Sequence, residues 1–426
     1  MHITNPKDYP ERAVLVGKIS SDILTSEVEN QLKELAFLAE TAGAISIQSF
    51  YQVKENIDPA TFIGKGKLNT IINYSKSSSI KIIVFNDELS PTQLKNIQKI
   101  AGNKIKVIDR TGLILDIFDK HAKTKESKTQ VQLARLEYLL PRLTKQWTHL
   151  ERQMGGVGTR GGPGETQIEI DRRLVRNQIT KLKKDLKKIE LQRLTQRSSR
   201  TNVYKVALVG YTNAGKSTLM KALTSEDVYI KNQLFATLDT KTKLVDLSDG
   251  VKFLLSDTVG FIRRLPHDLV ASFRSTLSEV KEANLIIKVL DLSSLQFKQE
   301  MNTIDEVLNR LNINVKDSII VLNKIDLVDD MNLIKPILDT YPNSIIVSAH
   351  RQLNLSTLLK TIEDKLKRNF IKDKIFIPFK KSKYINKIYS EMIVRKRVDN
   401  YKGTYIYVEG DSGYIENVKK RIERKS

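Results

Sequence analysis

Short apolar runs alternate with amphipathic segments over residues 1–121, a pattern typical of a small α/β domain. A cap residue followed by proline, Ser90 and Pro91, predicts the start of one helix, and Thr111–His121 predicts another helix near the end of the domain. The apolar runs that predict strands are Ala13–Ile19, Ala44–Val53, Ile80–Phe85 and Ile105–Ile108. We therefore expect an N-terminal α/β domain over residues 1–124.

Between residues 125 and 200 the apolar positions recur at alternating intervals of three and four, which is a heptad pattern. The first seam comprises Leu133, Leu136, Leu140, Leu143, Trp147 and Leu150, and the second comprises Val175, Ile179, Leu182, Leu186 and Ile189. The first seam predicts one long helix with Pro141 as a candidate kink. Together the seams predict an antiparallel helical hairpin with a glycine-rich loop, residues 154–165, at its tip and a basic second helix over residues 181–200.

Residues 201–368 repeat the order strand, loop, helix, and their strands are nearly continuous apolar runs, which indicates buried parallel strands. These runs are Val206–Val209, Leu285–Leu290, Ser318–Leu322 and Ser344–Val347. Asp249 and Gly250 lie between two apolar runs and predict a hairpin, which adds an antiparallel edge strand. The expected core is a doubly wound sheet. Residues 369–426 predict a small basic α+β domain with a hairpin that turns at residues 399–403.

The charge balance indicates the class of partner. The chain has 71 Lys and Arg residues against 49 Asp and Glu residues, and the resulting net charge of +22 attracts polyanions. Nucleic acid is the expected partner, and the alternative is a set of solvated basic faces. No apolar run approaches the roughly 20 residues of a membrane span, and the chain has no cysteine, so we expect no membrane span and a cytoplasmic location.

One segment has the composition and the setting of a phosphate-binding loop, because it follows a predicted strand and opens a predicted helix. Its residues are Gly210, Tyr211, Thr212, Asn213, Ala214, Gly215, Lys216 and Ser217. Glycines let several backbone N–H groups point at a phosphate, and the helix start adds a partial positive charge. Lys216 is expected to reach the β- and γ-phosphates of a nucleotide, and the Ser217 hydroxyl is expected to bind Mg²⁺.

Three further motifs follow the ends of predicted strands, where ligands of open α/β sheets bind. They are Asp257, Thr258, Val259 and Gly260; Asn323, Lys324, Ile325 and Asp326; and Ser348, Ala349 and His350. Asp257 could hold Mg²⁺ through water. The Asp326 carboxylate can accept hydrogen bonds from the N1–H and 2-amino groups of guanine, which adenine lacks, so GTP is favoured over ATP. Backbone N–H groups of the last motif could close over the guanine 6-oxygen, while the His350 side chain is expected to pack.

A candidate switch segment lies between the phosphate-binding loop and Asp257. It comprises Phe235, Ala236, Thr237, Leu238 and Asp239. The Thr237 hydroxyl is expected to be the second protein ligand of Mg²⁺, in place only when the γ-phosphate orders the segment. Lys216, Thr237 and Gly260 together would stabilise the γ-phosphate.

The residue after Gly260 is Phe261, where many switch GTPases have a glutamine that orients the attacking water. A phenyl ring cannot orient water, so no side chain is assigned as the catalytic base, and hydrolysis by the chain alone is expected to be slow. Arg263 and Arg264 follow, and we expect them to face a partner rather than to act in catalysis.

Several motifs resemble those of the HflX family of translational GTPases, and the strand-end motifs follow the order of a Ras-like G domain. The matching motifs outside the G domain are Thr61–Lys67, Asp109–Asp116, Gly158–Gly161 and Pro163–Thr166, and those inside it are Gly210–Ser217, Phe235–Asp239 and Asp257–Ile262. The resemblance includes the hydrophobic Phe261 in place of glutamine. Two positions depart from the family pattern, since Gly162 is an extra glycine and Thr240-Lys241 stands where proline and threonine are expected.

The resemblance implies a Mg²⁺-dependent GTPase that binds the large ribosomal subunit and its rRNA and splits stalled or idle ribosomes. The loop at residues 154–165 would enter the peptidyl-transferase region, and the basic helix at residues 181–200 would contact rRNA. Ribosomal particles would then stimulate hydrolysis by a monomeric protein. Two alternatives stay open: a GTPase of ribosome assembly or tRNA modification, and a GTP-gated binding scaffold whose hydrolysis is incidental.

The expected architecture is therefore that of an α/β multidomain protein. An N-terminal α/β domain at residues 1–124 precedes a helical hairpin with a glycine-rich tip at residues 125–200. A Ras-like, doubly wound P-loop G domain at residues 201–368 follows, and a basic α+β domain at residues 369–426 completes the chain.

Overall fold

The computed structural model describes residues 10–19, 25–143, 167–198, 203–224, 233–247, 251–264, 278–294, 296–313, 318–330, 332 and 334–423. The predicted tip loop at residues 154–165, the seam positions Trp147 and Leu150, and the last two residues of the basic segment 181–200 lie outside these ranges. No helix within the described ranges is long and apolar enough to span a membrane.

The chain divides into two compact units that interleave along the sequence. The first unit comprises Met1–Arg193, Lys231–Asp239 and Arg264–Arg274, and the second comprises Leu194–Ile230, Thr240–Arg263 and Ser275–Ser426. The candidate switch segment at residues 235–239 thus belongs to the first unit, whereas the phosphate-binding loop belongs to the second.

A four-stranded parallel sheet forms the centre of the first unit, with the strand order β2-β1-β3-β4. Its strands are β1 (Glu11–Ile19), β2 (Ala44–Val53), β3 (Ile82–Phe85) and β4 (Lys106–Asp109). The helices are α1 (Thr25–Thr41), α2 (Lys65–Ser77), α3 (Pro91–Ala101) and α4 (Arg110–His121). All four residues of β3 are buried, as its continuous apolar run predicts. At the predicted start of α3, Ser90 and Gln93 form a capping box.

Asp109 is a buried junction of the first unit. Its carboxylate accepts hydrogen bonds from the Gly112 N–H (2.8 Å), the Leu89 N–H (3.1 Å) and the Tyr138 hydroxyl (2.8 Å). Desolvation, assisted by the charge of Asp109, raises the pKa of Tyr138 above its usual value. The carboxylate therefore caps α4 and joins it to helix α5 (Lys125–Leu139), which carries Tyr138.

The predicted heptad seams pack against each other in the described part of the hairpin. Helix α6 (Gln167–Ser198) supplies the second seam. The buried cluster contains Leu133, Leu136, Leu143, Val175 and Ile179, with Leu140, Leu182 and Leu186 at its margin. The expectation of one helix through Pro141 is corrected: α5 ends at Leu139, and Leu140–Arg142 forms a 3₁₀ turn. Pro141 lacks the N–H that would bond the carbonyl four residues earlier, and its ring clashes with that carbonyl, so the α-helical hydrogen bonds end here although Leu140 keeps helical geometry.

The second unit contains a six-stranded sheet with the order β10-β9-β8-β5-β7-β6. Its strands are β5 (Tyr204–Gly210), β6 (Lys241–Asp246), β7 (Lys252–Asp257), β8 (Leu285–Asp291), β9 (Ser318–Asn323) and β10 (Ile345–Ile346). All pairings are parallel except that of the edge strand β6 with β7, as the Asp249-Gly250 hairpin signal predicts. The helices are α7 (Lys216–Thr224), α8 (Ser278–Lys281), α9 (Phe297–Arg310), α10 (Lys335–Thr340) and α11 (Leu355–Leu366).

The C-terminal part of the second unit forms a separate antiparallel sheet, ordered β11-β13-β12. Its elements are β11 (Phe370–Pro378), α12 (Lys383–Glu391), β12 (Ile393–Asn400), β13 (Gly403–Asp411) and α13 (Ser412–Glu423). One side of this sheet packs on the two helices through a cluster that includes Ile375, Ile406, Ile388 and Val418.

Candidate functional site

The phosphate-binding loop joins the end of β5 to the start of α7 in the second unit. Gly215 has φ +91°, and a Cβ atom there would lie 2.2 Å from Asn323 Nδ2. A Cβ atom on Gly210 would lie 2.2 Å from the Val289 carbonyl oxygen. Both glycines are therefore required by close backbone approach, and Gly215 also by its left-handed conformation.

Lys216 and Ser217 begin α7 and face the end of β7. Lys216 is 6% exposed, and its ammonium donates hydrogen bonds to the carbonyl oxygens of Gly210 (3.0 Å) and Tyr211 (2.8 Å). Burial lowers the pKa of Lys216 to about 8, and the negative charge of Asp257 opposes that shift. Ser217 Oγ donates to Asp257 Oδ2 at 2.6 Å. The sequence-predicted pair of hydroxyl and carboxylate is therefore in direct contact.

Phe261 is fixed by both its backbone and its side chain. The Thr212 N–H donates to the Phe261 carbonyl oxygen (2.7 Å), and the Phe261 N–H donates to the Gly210 carbonyl oxygen (3.0 Å). The ring is 2% exposed and lies in the hydrophobic core beside Val209. The side chain at this position therefore points into the core and has no polar atom that could orient a water molecule.

The Asn-Lys-x-Asp motif connects the strand end of β9 to the phosphate-binding loop. Asn323 Nδ2 donates to the Ala214 carbonyl oxygen, and Asn323 Oδ1 accepts from the Ala349 N–H, both at 3.0 Å. Ser348 Oγ donates to Asp326 Oδ1 at 2.5 Å. The asparagine therefore positions both neighbouring loops, and Asp326 is left exposed at the edge where guanine selection is predicted. His350 is exposed, so the expectation that its side chain packs is wrong.

Two acidic residues of this region were missed by the sequence reasoning. Asp291, the last residue of β8, forms a 2.7 Å ion pair with Lys324 Nζ. Glu300 on α9 is 7% exposed, and its Oε1 accepts a 2.5 Å hydrogen bond from Ser294 Oγ. Burial raises the pKa of Glu300 to about 7. Asp291 ends a buried strand, so the signal that identified Asp257 could have found it, whereas Glu300 has no such signal.

The candidate switch segment is anchored within the first unit. The Phe235 ring packs edge-on against Phe118, with ring centroids 4.7 Å apart, and Thr237 is buried. Asp239 Oδ1 accepts a 2.6 Å hydrogen bond from Thr124 Oγ1, and Oδ2 accepts a 3.1 Å bond from the Lys123 N–H. These contacts place the segment at the start of α5.

Arg264, which follows the Asp257 motif, also belongs to the first unit. It forms a 2.7 Å ion pair with Asp87. Asp87 Oδ2 is buried without a hydrogen-bond partner, and burial raises the pKa of this carboxyl. The positive charge of Arg264 therefore offsets part of the free-energy cost of burying the Asp87 carboxylate.

The residues present fit a Mg²⁺ nucleotide. Mg²⁺ prefers hard oxygen ligands and keeps several waters, which suits the Ser217 hydroxyl and a carboxylate such as Asp257 that acts through water. The buried Lys216 ammonium is held by two carbonyl oxygens, which position its positive charge to bind a phosphate.

The six-stranded sheet is parallel except at its edge strand β6. With a phosphate-binding loop after β5, the Asp257 motif after β7 and the Asn-Lys-x-Asp motif after β9, it defines a P-loop GTPase domain. Sequence comparison agrees: residues 29–119 match the family described as GTP-binding GTPase N-terminal, residues 121–200 match the GTP-binding GTPase Middle Region, and residues 205–324 match the family described as 50S ribosome-binding GTPase. The chain belongs to the HflX family of GTPases.

Relatives named GTPase HflX cover most of the chain. It is 38% identical to the GTPase HflX of Magnetococcus marinus, over 98% of this chain and 96% of that protein. The identity is 49% to the GTPase HflX of Flavobacterium psychrophilum, over 74% and 76% of the two chains. A solved GTP-binding protein from Sulfolobus solfataricus in complex with GDP is 25% identical, covers 83% of this chain and 98% of its own, and superposes with a TM-score of 0.44.

Proposed function

We propose that this GTPase binds the large ribosomal subunit and its rRNA, and that it splits stalled or idle ribosomes in the cytoplasm as a monomer. The observation that carries the proposal is the match of residues 205–324 to the family described as 50S ribosome-binding GTPase, in a chain that belongs to the HflX family. The net charge of +22 supports an RNA-rich partner.

In this proposal the nucleotide binds at the carboxyl ends of the strands of the second unit. Lys216 binds the β- and γ-phosphates, Ser217 and Thr237 are the protein ligands of Mg²⁺, and Asp257 acts through water. Bound Mg²⁺ would neutralise charge that develops on the phosphates during hydrolysis. The Gly260 N–H contacts the γ-phosphate, and Asp326 selects guanine. The full set of nucleotide residues is that named from the sequence: 210–217, 235–239, 257–260, 323–326 and 348–350.

Slow intrinsic hydrolysis is part of the proposal, because the buried ring of Phe261 offers no group to position water. Ribosomal particles would supply that positioning, either directly or by moving a segment of the chain. In related switches, groups supplied by a partner accelerate hydrolysis by ~10³–10⁵.

The helical hairpin provides the proposed RNA contact. On α6 the apolar residues Val175 and Ile179 pack in the seam against α5, and Lys183 forms a 2.8 Å ion pair with Glu137 of α5. The exposed lysines are Lys181, Lys183, Lys184, Lys187 and Lys188. Such a row of cations suits salt-sensitive contacts with rRNA phosphates. The loop at residues 154–165 has six glycines among twelve residues, so its sequence has little side-chain bulk, which suits the proposed entry into the peptidyl-transferase region.

The decisive experiment measures GTP hydrolysis with and without purified large subunits, and ribosome splitting by light scattering. A variant in which a short Gly-Ser turn replaces residues 155–164 should bind GTP normally, bind large subunits more weakly and fail to split ribosomes. Unchanged splitting by that variant would rule out the role of the loop. Stimulation only by precursor subunits would support the assembly alternative, and no stimulation by any particle would support the scaffold.

A further inference from the structure

The three-stranded sheet β11-β13-β12 has two unlike faces. Residues at alternate positions, such as Ile375 and Ile406, are buried against α12 and α13. The residues between them lie on the opposite face, which we call the open face. On β11 and β13 the open face carries Lys372, Lys374, Phe376, Tyr405, Tyr407 and Glu409, and on β12 it carries Arg395, Lys396 and Val398. Apolar and aromatic side chains that remain partly exposed in this way commonly mark an interaction site.

Aromatic rings on the open face occupy neighbouring positions on adjacent strands. Phe376 pairs with Tyr405, and the ring centroids are 4.8 Å apart. Tyr407 follows two residues later on the same side of β13, a separation of about 7 Å along a strand, and it is 38% exposed. Sheets that bind single-stranded RNA use two or three rings in this arrangement as stacking platforms for successive unpaired bases.

The charges on the open face complement a phosphate backbone. Lys372 and Lys374 on β11 face Arg395 and Lys396 across the central strand, and a register shift between Val394 and Lys396 places both β12 cations on the same side. Two acids share this face: Glu409 is paired with Arg395 at 2.9 Å, and Asp411 lies at the end of β13 opposite Phe370, where the Tyr204 ring packs. Four cations thus surround the rings, and Arg395 neutralises Glu409, the acid that lies between them.

Lys374 connects the charges to the rings. Its Nζ lies 4.0 Å from the Tyr405 centroid and 5.4 Å from the Tyr407 centroid, in the position of a cation over an aromatic face. A base that stacks on Tyr405 would displace this ammonium, and the flexible four-carbon stem allows it to reach the adjacent phosphate.

We propose that the open face of the C-terminal sheet binds single-stranded RNA, with Phe376, Tyr405 and Tyr407 as stacking platforms and Lys372, Lys374 and Lys396 as phosphate contacts. The ring spacing favours this partner over an acidic protein, which would use the cations but not a row of rings. The inference rests on the sheet alone and holds whether or not the chain acts on ribosomes.

The affinity test titrates the full chain into a fluorescein-labelled ten-nucleotide oligouridine and follows anisotropy. Tyr407→Ala should weaken binding by about tenfold, the loss expected for one stacked base. The matched control is Tyr389→Ala, because Tyr389 is also exposed (51%) but lies on α12, on the other side of the sheet. Equal affinity of Tyr407→Ala and the unaltered chain would overturn the proposal.

The charge test compares Lys374→Ala with Arg397→Ala. Arg397 bonds Tyr389 and so lies on the helix side of the sheet. Lys374→Ala should reduce the dependence of log affinity on log salt concentration by about 0.7, the value for one contact with a single strand, and Arg397→Ala should not. Both residues are exposed, so neither variant needs a repacked core, and a thermal melt verifies folding. Identical salt slopes for the two variants would count against the phosphate contact.

A cross-linking test locates the RNA directly. With 4-thiouridine in the oligonucleotide, ultraviolet cross-links should fall on the peptides that contain β11 and β13. Cross-links confined to the hairpin would contradict the proposal. Polyglutamate that displaces the RNA as efficiently as unlabelled oligouridine would indicate an acidic protein partner instead, and equal affinity for oligothymidine DNA would remove the assignment to RNA.

Discussion

Thr124 Oγ1 donates a 2.6 Å hydrogen bond to Asp239 Oδ1, so the candidate switch segment contacts the residue that caps α5. Thr124 also accepts a bond from the Ser127 N–H through the same hydroxyl oxygen. The carboxylate of Asp239 adds acceptors for the backbone N–H groups at residues 123 and 124. The beginning of α5 is therefore capped twice, once by its own side chain and once by a residue 115 positions away.

This double cap predicts a modest stability effect. Asp239→Ala should lower the free energy of unfolding of the first unit by about 1 kcal/mol, the usual loss for a helix cap. In a unit of this size that corresponds to a melting temperature lower by about 2–4 °C. Asp329→Ala, at an exposed position, is the control and should not change the melting temperature. Faster hydrogen exchange at the start of α5 in Asp239→Ala alone would verify the location; an unchanged pattern would contradict the capping role.

Guanine selection is tested at Asp326. Asp326→Asn should weaken GTP binding by ~10²-fold or more and shift the preference toward xanthine nucleotides, because one carboxylate oxygen is replaced by an NH₂ donor that faces a donor of guanine but can bond the 2-oxygen of xanthine. Ser348 is left unchanged in this variant, because its hydroxyl donates a 2.5 Å hydrogen bond to Asp326 Oδ1 and so orients the side chain at position 326. Fluorescent nucleotide titration measures the effect, with Asp329→Asn as the matched control. Equal affinity of the unaltered chain for ATP and GTP would contradict the assignment.

Two glycines give opposite predictions for the same substitution. Gly215→Ala should abolish nucleotide binding, because its Cβ atom would lie 2.2 Å from Asn323 Nδ2 and φ is +91°. Gly66→Ala should leave binding unchanged and raise stability by about 0.5–1 kcal/mol, because Gly66 lies in the first turn of α2 with no atom within 4 Å of the added carbon. Nucleotide titration and thermal melts of both variants provide the comparison; normal binding by Gly215→Ala would show that the loop can relax.

The buried carboxyl group of Glu300 is expected to make the free energy of unfolding depend on pH. Its pKa is raised from 4.5 to about 7, chiefly by burial, so ionisation of the folded state is unfavourable. Because the folded pKa is the higher one, the stability contributed by protonated Glu300 is full below pH 4.5 and is lost as the pH rises through about 7. Glu300→Gln should therefore be more stable than the unaltered chain at pH 8, by an amount of order 1–3 kcal/mol, and similar at pH 4.5.

The measurement for Glu300 is the difference in melting temperature between variant and unaltered chain at several pH values. Glu306→Gln is the control, because Glu306 is exposed on the same helix and pairs only weakly with Arg310 at 3.7 Å. A pH-independent difference for Glu300→Gln would show that the buried carboxyl does not titrate in this range.

Local sequence signals were sufficient for much of the fold. Strand β2 has the predicted bounds, Ala44–Val53, and helix α3 starts at Pro91 as the Ser90-Pro91 pair indicates. Continuous apolar runs identified the buried strands of the second unit, since such strands have no polar face to interrupt them. One predicted run, Ser344–Val347, yields a strand of only two residues, because only residues 345 and 346 pair with β9.

Contacts between distant parts of the chain could not be predicted in this way. One example is the hydrogen bond between Thr124 and Asp239. The sequence around Thr124 indicates only a helix cap, and the sequence around Asp239 indicates only a switch segment. Glu300 lies in an amphipathic helix, where an acid normally occupies the solvated face, yet here it is buried. Periodicity assigns a residue to a face of its helix, but the element that covers this face is set by the tertiary fold.

The position of Phe261 also limits how the chain can move. Two backbone hydrogen bonds tie this residue to Gly210 and Thr212, and its ring is held in the core, so displacing it would break both bonds and expose a phenyl side chain. The chain that ends at Phe261 is therefore held in place at this residue. A rearrangement of this stretch on nucleotide exchange would therefore have to break those two hydrogen bonds, which predicts that Phe261 keeps its position when GDP replaces GTP.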